Sequence, residues 1–389
     1  MNIQEKDKQY IASTYNRFPV TIVSGKGSIA VDENGKKYID MGAGIGVTSF
    51  GYCDEVWQNA VTEQIHMVQH TSNLYYTEPC TKLAELLVEK TGMSKVFFSN
   101  SGAEANECAI KVARKYAAEK KGKDCYNIVT LWNGFHGRTL TTLAATGQEH
   151  YHELFQPLTP GFKHVHVGDM EELKSVADPK NTAAVMIECI QGEGGVNVLP
   201  PEYVKALATY CKENDILLIV DEVQTGNGRT GKFYSYMNYD IKPDIVSTAK
   251  GLAGGLPMGA TLLGEKVQNV FGFGDHGSTF GGNPVAAAGA VSIVKRMDSK
   301  FLDDVKQKGD FIKDFFKDDS NVEQISGIGL MVGIKPANKP AADVVKECIE
   351  KGVLCLTAKD KVRLLPPLNI PMDTLKEALI VLKSSLNQR

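Results

Sequence analysis

A lysine, an aspartate and a phenylalanine each stand at or just beyond a short apolar run. Lys250 directly follows "DIVSTA" (244–249), Asp221 closes an apolar run that begins at residue 216, and Phe135 follows "YNIVTLW" (126–132). A lysine amine of lowered pKa condenses with an aldehyde, and a carboxylate keeps a basic ring nitrogen protonated. An aromatic ring can lie flat on a planar ligand. These three residue types therefore suit a flat aldehyde with a basic ring nitrogen.

Small residues stand where an anion could bind. "KVFFSN" (95–100) reads as a strand, and Gly102 and Ala103 follow it at the start of a helical pattern. Helix N-terminal N–H groups and the helix dipole both favour a negative charge, such as a phosphate. The alternative is a tight turn in which Ser101 caps the helix and Glu104 completes a capping box. Because pyridoxal 5'-phosphate combines aldehyde, phosphate, flat ring and basic nitrogen, we predict this cofactor.

Further polar residues follow the same predicted strands. Arg138 could clamp a carboxylate, and a structural ion pair is the alternative. Glu193 lies among glycines, where a solvated loop carboxylate is the alternative. Gln224 comes one turn after Asp221. His136 could act as a base, but a lone histidine is more often a hydrogen-bonded structural residue.

The elements that would position these residues follow an alternating pattern. Short apolar runs alternate with helical patterns, and strands are predicted at 95–100, 126–132, 183–190, 216–222, 244–249 and 259–265. Alternating strands and helices indicate an α/β fold with a largely parallel sheet covered on both faces. Ligands bind beyond the carboxyl ends of such strands, which is where the residues above lie.

The two ends of the chain have a different texture. Residues 27–41 read as a hairpin with Asn34-Gly35 at its turn. A long helix is expected to begin near Pro284, and the last hundred residues mix helices with short strands. We therefore predict an N-terminal segment (1–54) that joins a small α+β domain, a large cofactor-binding domain (55–283), and a C-terminal small domain (284–389).

Composition excludes several classes of function. The 389 residues are 43% hydrophobic, and their formal net charge is −3. The chain has no excess of basic residues of the kind found in nucleic-acid-binding proteins, and no apolar run is long enough to span a membrane. The eight cysteines are scattered without a C-x-x-C pair. We expect reduced thiols in a cytoplasmic protein, with neither a zinc site nor a disulfide framework.

Several longer motifs carry a family resemblance. They are "HTSNLYY" (70–76), "SNSGAEANE" (99–107), "FHGRT" (135–139), "LIVDEVQTGNGRTG" (218–231), "AKGLAGGLPMGA" (249–260) and "GSTFGGNP" (277–284). With them the chain resembles, nearly end to end, the class III pyridoxal-phosphate-dependent aminotransferases. The resemblance implies fold type I, with a mostly parallel seven-stranded sheet in the large domain. It also implies a homodimer with active sites at the interface.

The resemblance assigns cofactor contacts to particular residues. Lys250 would carry the cofactor and move the proton between substrate carbon and cofactor carbon. Asp221 would pair with the ring nitrogen, and Phe135 would stack on the ring. The remaining expected contacts are Gly102 and Ala103 at the phosphate, Glu222, Val223 and Gln224 near the ring, and Thr279 at the phosphate of the neighbouring subunit.

The resemblance also implies how substrates bind. Arg138 would hold a substrate carboxylate, and Ser278 would touch the substrate. Arg363, in "VRLLPP" (362–367), matches the arginine that takes the α-carboxylate of glutamate. Glu193 matches a gate that pairs with this arginine when the amino donor resembles ornithine.

The implied reaction moves the terminal amino group of N2-acetylornithine to 2-oxoglutarate. It gives N-acetylglutamate 5-semialdehyde and glutamate, a step of arginine biosynthesis. Alternative donors within the same fold are ornithine, succinylornithine, succinyldiaminopimelate and 4-aminobutyrate, and a related aminomutase or decarboxylase is a further alternative.

Two alternatives lie outside this fold. "GAGIG" (42–46) resembles a nucleotide loop of a dehydrogenase, but it lacks the last glycine of the full pattern and follows a hairpin. His164 and His166 alternate in "KHVHV" and could bind a metal, but no third ligand is evident. We therefore predict no metal site.

Overall fold

The computed structural model describes residues 1–387. Its strands, in chain order, are β1 Ile22–Lys26, β2 Ile29–Asp32, β3 Lys37–Asp40, β4 Lys95–Ser99, β5 Asn127–Leu131, β6 Phe162–Val165, β7 Thr182–Ile187, β8 Ile190–Gln191, β9 Asn197–Val198, β10 Leu217–Asp221, β11 Ile245–Thr248, β12 Gly259–Leu263, β13 Val322–Ile328, β14 Met331–Pro336, β15 Val353–Leu354, β16 Leu356–Ala358 and β17 Lys361–Leu364. The helical segments are α1 Ile3–Tyr10, α2 Ala43–Gly46, α3 Glu55–Met67, α4 Glu78–Thr91, α5 Gly102–Lys121, α6 Leu140–Ala145, α7 Met170–Val176, α8 Pro201–Glu213, α9 Pro284–Val294, α10 Ser299–Phe316, α11 Ala341–Glu350 and α12 Met372–Leu386.

A central sheet organises the fold. Within residues 1–387 it has seven strands in the order β4-β12-β11-β10-β7-β5-β6. Strands β11, β10, β7, β5 and β6 run parallel, while β12 is antiparallel to both of its neighbours. The predicted α/β class and the mostly parallel seven-stranded sheet are therefore confirmed, and each strand predicted from the sequence is present.

Side chains of the central strands divide between two apolar layers. In β10, Leu217 and Ile219 pack into the layer that contains the buried face of α5, whereas Leu218 and Val220 pack into the opposite layer. Burying side chains of this size stabilises the fold by about 1.5–3 kcal/mol each. Because successive side chains of a strand point to opposite faces, Asp221 continues the row on the α5 side.

Helix α5 begins directly at the end of β4. Ser101 is the N-cap, and its hydroxyl accepts a hydrogen bond from the Glu104 N–H at 3.2 Å. A Cβ at Gly102 would lie 2.6 Å from a methyl of Val223, so a glycine lets the first helical turn approach the loop after β10. The predicted cap by Ser101 is thus present, but the capping box is incomplete, because the Glu104 carboxylate accepts from the Asn100 N–H and the Ser101 hydroxyl instead of the Ser101 N–H.

The two ends of the chain meet in one smaller sheet. The predicted hairpin forms from β2 and β3, with Gly35 at a φ of 79°, and the sheet order is β1-β2-β3-β15. A further antiparallel sheet, in the order β13-β14-β17-β16, carries Arg363 in β17. The pairing of β3 with β15 agrees with an N-terminal segment that joins the C-terminal part, while the domain boundaries stay a prediction.

Other expectations concern single features. Helix α9 begins at Pro284, and Asn283 is its N-cap. No helix of residues 1–387 combines the length and the apolar character needed to cross a bilayer. The eight cysteines all lie in this range and are free thiols. Segment α2 is a single turn with left-handed backbone, since Ala43 and Ile45 have φ values of 46° and 66°.

Candidate active site

A cavity of about 400 Å³ lies between the start of α5 and the carboxyl ends of β7 and β10. Most of the residues predicted from the strand ends line it. They are Gly102, Ala103, Phe135, Arg138, Asp221, Val223, Gln224 and Lys250. The fold thus brings an amine, an acid, an aromatic ring and a helix N-terminus to one crevice.

The carboxylate of Asp221 is buried and held by three donors. Asn106 Nδ2 donates to Oδ2 at 2.7 Å, His136 Nδ1 lies 2.9 Å from the same oxygen, and the Val223 N–H donates to Oδ1 at 2.9 Å. A charged carboxylate can be buried when hydrogen bonds replace its hydration. These contacts fix the direction of the acid within the cavity.

His136 supports Asp221 as a hydrogen-bonded partner. Burial disfavours the imidazolium of His136, but the hydrogen bond and the charge of Asp221 outweigh burial and raise the histidine pKa above its ordinary value. The backbone N–H and carbonyl of His136 are also held by hydrogen bonds. The His136 N–H donates to Thr146 Oγ1 at 3.0 Å, and its carbonyl accepts from Asn106 Nδ2 at 2.8 Å. His136 is therefore a structural partner of the acid, as the sequence favoured.

The amine of Lys250 is available in the cavity. Lys250 lies two residues after the last residue of β11, and among residues 1–387 its Nζ has no hydrogen-bond or ion-pair partner. Burial lowers the pKa of this amine, and the charge of Glu193 partly opposes that effect. A lysine with a lowered pKa is neutral more often and is a better nucleophile and base.

The first turn of α5 offers backbone donors. The N–H groups of Gly102 and Ala103 make no hydrogen bond within the described part of the chain. They stand at the positive end of a 20-residue helix and line the cavity. Free N–H groups at such a helix end are suited to a phosphate.

An aromatic ring and a cation face each other across the cavity mouth. The guanidinium of Arg138 lies 5.6 Å from the ring centroid of Phe135 and 4.6 Å from that of Tyr151. The Phe135 and Tyr151 rings meet edge to face at 6.0 Å. Arg138 is exposed, so its charge can meet a carboxylate that enters the cavity.

Glu193, Gln224 and Arg363 form a closed set of contacts beside the cavity. Arg363 Nη1 donates to Glu193 Oε1 at 2.7 Å and to Gln224 Oε1 at 3.0 Å, and Gln224 Nε2 donates to Glu193 Oε1 at 3.1 Å. Burial would raise the pKa of Glu193, but the charge of Arg363 outweighs it, and the pKa lies below its ordinary value. Gln224 connects this pair to the cavity lining.

A glycine makes the approach of the Glu193 loop possible. A Cβ at Gly192 would lie 2.3 Å from Gln224 Oε1, so a larger residue would require the end of this flexible side chain to move. The glycine next to Glu193 therefore lets the loop approach Gln224 with its amide in the observed position.

The structure does not bring every predicted site residue to the cavity. Glu222 is buried on the opposite face of the sheet, where it accepts from Thr225, Ser235 and the Tyr236 N–H. Ser278 stands one contact away, because its hydroxyl accepts from Asn100 Nδ2 at 3.1 Å. Thr279 is exposed, and its expected partner belongs to another subunit.

Three polar residues that line the cavity were not singled out from the sequence. Glu188 follows β7, Asn106 lies on the second turn of α5, and Asn100 precedes the helix cap. Glu188 could have been found by counting strand alternation, since it continues the α5-facing row of β7 as Asp221 does in β10. For the two asparagines the sequence holds no comparable signal.

The site matches a known family. Residues 10–386 match the model of the family described as aminotransferase class-III. The chain belongs to the class III aminotransferases. This membership agrees with the motifs quoted above and excludes the dehydrogenase alternative. "GAGIG" forms the left-handed turn α2 instead of a loop that opens a βαβ unit.

Similar proteins cover the chain almost completely. It is 47% identical to the acetylornithine aminotransferase of Haemophilus ducreyi over 99% of this chain and 98% of the relative. It is 44% identical to the acetylornithine aminotransferase of Methanocaldococcus jannaschii over 96% and 95%. Among solved structures, the ornithine aminotransferase of Toxoplasma gondii superposes with a TM-score of 0.94 at 33% identity, covering 98% and 94% of the two chains.

The family uses pyridoxal phosphate, and the residues present fit this cofactor. The free amine of Lys250, the pinned carboxylate of Asp221 and the unpaired N–H groups of α5 meet the requirements of its aldehyde, ring nitrogen and phosphate. Residues 1–387 contain no group of three or more His, Cys, Asp or Glu side chains placed to hold a metal ion. His164 instead bonds Thr130, and His166 bonds Glu172.

Proposed function

We propose that this class III aminotransferase transfers the terminal amino group of N2-acetylornithine to 2-oxoglutarate. The products are N-acetylglutamate 5-semialdehyde and glutamate, as in arginine biosynthesis. The observation that carries the proposal is similarity over nearly the whole chain, at 40–47% identity, to relatives named acetylornithine aminotransferase. The Glu193–Arg363 pair beside the cavity supports a site that takes two differently shaped substrates.

We assign the cofactor contacts as follows. Lys250 Nζ binds the aldehyde and moves the proton at the substrate carbon, and Asp221 keeps the ring nitrogen protonated. Phe135 stacks on the ring, while the N–H groups of Gly102 and Ala103 hold the phosphate. The cofactor itself supplies a protonated ring that withdraws electrons from the carbon losing its proton.

Selection between the two substrates rests on Arg363. In the first half-reaction Glu193 neutralises the guanidinium, because the terminal carbon of the donor carries an amine and no carboxylate for Arg363 to bind. Glutamate and 2-oxoglutarate carry a second carboxylate, which displaces Glu193 and pairs with Arg363 in its place. Arg138, exposed at the mouth, holds the other carboxylate.

A homodimer is also part of the proposal. The segments 70–76 and 278–281 lie together, because Asn73 Nδ2 donates to the carbonyls of Ser278 and Gly281 at 2.9 Å. They expose Leu74, Tyr75, Tyr76 and Phe280, an apolar surface next to the cavity. We propose that a second copy covers this surface and that its Thr279 reaches the phosphate. Mass determination in solution and the cofactor affinity of Thr279→Ala test this arrangement.

The substrate assignment is tested by a panel of ω-amino donors with 2-oxoglutarate. We expect kcat/KM to be highest for N2-acetylornithine, and a higher value for ornithine would overturn the assignment. Ornithine is the second candidate because of the Toxoplasma gondii structure, and succinylornithine, succinyldiaminopimelate and 4-aminobutyrate complete the panel. A cytoplasmic location, expected from the scattered thiols, stays a prediction.

A further inference from the structure

Glu188 and Asp221 end neighbouring strands side by side. The last pair between β7 and β10 joins Ile187 to Val220, so Glu188 and Asp221 occupy the next position of each strand. Both side chains are buried, and both line the cavity. Adjacent strands are about 4.8 Å apart. The fold therefore places two carboxyl groups next to each other in a site where like charges repel.

The carboxyl of Glu188 has one specific contact. Its Oε2 accepts the peptide N–H of Phe135 at 2.8 Å. Within residues 1–387 no lysine, arginine or histidine forms an ion pair with it. A buried carboxylate without a cationic partner is unfavourable. An acid at this position is therefore not explained by a need for charge pairing.

Electrostatics favour the protonated form of Glu188. Burial raises its pKa to about 8, and the charge of Asp221 acts in the same direction. His136, the Phe135 N–H and Lys250 oppose this shift. Together these effects favour a protonated Glu188 near neutral pH.

We propose that Glu188 is a positioning residue whose carboxyl, by accepting the Phe135 N–H, fixes the backbone of Phe135 and thereby the place of its ring in the cavity. This inference rests on the proposed cofactor role of Phe135. The next residue, His136, is held through its backbone by hydrogen bonds to Thr146 and Asn106. Loss of the Glu188 contact would therefore leave the Phe135 N–H as the backbone group of this segment without its hydrogen bond.

The test compares Glu188→Ala with Glu188→Gln. The cofactor-free protein is titrated with pyridoxal 5'-phosphate, and binding is followed by visible absorbance and by the circular dichroism that the bound ring acquires. Alanine removes the acceptor, and we expect about tenfold weaker binding and an altered dichroism. Glutamine is neutral and still accepts the N–H, so we expect affinity within about threefold of wild type.

A matched control uses Asp244. Its Oδ2 also accepts a peptide N–H, that of Leu218 at 2.9 Å, but at the opposite end of β10. Asp244→Ala should lower thermal stability and leave cofactor affinity and dichroism unchanged. If Glu188→Ala does not fold, Glu188→Asp replaces it, because the shorter acid keeps the charge chemistry and loses the reach.

The outcomes separate the two levels of the proposal. If the wild type binds no pyridoxal 5'-phosphate, the proposed function fails. If the wild type binds it and Glu188→Ala, or Glu188→Asp in its place, binds equally well with unchanged dichroism, the positioning role is overturned. A glutamine variant as weak as the alanine variant also overturns the role of a neutral acceptor.

Discussion

Replacing Glu193 by alanine should change which amino donor the enzyme prefers. In the folded chain Glu193 neutralises Arg363, whose side chain is 4% exposed. Without Glu193 the guanidinium keeps its contact to Gln224 but loses its charge partner. A substrate carboxylate then binds Arg363 without first displacing a protein carboxylate. Glutamate should therefore gain as a donor relative to N2-acetylornithine.

The size of the effect follows from the burial of the pair. Removing one partner of a buried ion pair leaves the other charge unpaired, at a cost of about 3–5 kcal/mol in folding free energy. The Glu193 side chain is 29% exposed, so solvent screens part of this interaction. We therefore expect a change of about 1.5–3 kcal/mol in favour of glutamate, which corresponds to a factor of about 10 to 150.

The assay is the ratio of kcat/KM for glutamate to kcat/KM for N2-acetylornithine. It compares wild type, Glu193→Ala and Glu193→Gln under the same conditions. Glutamine keeps an oxygen that Arg363 can bond but removes the negative charge, so its ratio should lie between the other two. A ratio that stays at the wild-type value in the alanine variant refutes the gate.

Three further changes test the rest of the site. Lys250→Ala should lower turnover by at least about a thousandfold and abolish the visible absorption of the loaded protein together, since its Nζ is the free amine of the cavity; retained turnover contradicts this. Asp221→Asn should lower kcat by roughly a hundredfold or more, because the ring nitrogen loses its charge partner, and wild-type kcat would remove Asp221 from the site. Glu188 has a pKa of about 8 in the fold against an ordinary 4.5, so the folded chain binds its proton more tightly. Glu188 therefore makes its full contribution to the free energy of unfolding of the cofactor-free protein below about pH 4.5, and this contribution is lost as the pH rises to about 8. Glu188→Gln should accordingly make the thermal unfolding temperature less dependent on pH across that interval.

Residues at strand ends were accessible from the sequence. Lys250, Asp221 and Phe135 follow recognisable apolar strands, and parallel strands deliver their carboxyl ends to one edge. Their gathering in one cavity needed no knowledge of long-range packing. The sequence could not show that Arg363, on β17 of a separate sheet, would meet Glu193 (170 residues apart along the chain). Here the family resemblance supplied the pairing.

Strand alternation explains two differences between expectation and structure. Glu222 was expected near the cofactor from the family resemblance, but successive side chains point to opposite faces, and its carboxylate accepts a hydrogen bond from Ser235. The same rule places Glu188 in the cavity, although no apolar or glycine signal marks it. Asn106 was missed for another reason. It lies on a helix, and the approach of that helix to Asp221 depends on tertiary packing.

The close approach at Gly192 links the loop that carries Glu193 to the position of the Gln224 amide. A single hydrogen occupies the space where a methyl group would meet Gln224. A larger residue at position 192 would require the end of the Gln224 side chain to move, and that amide also bonds Arg363 and Glu193. A substitution there would therefore disturb the contacts of Arg363 without touching the amine of Lys250 or the carboxylate of Asp221.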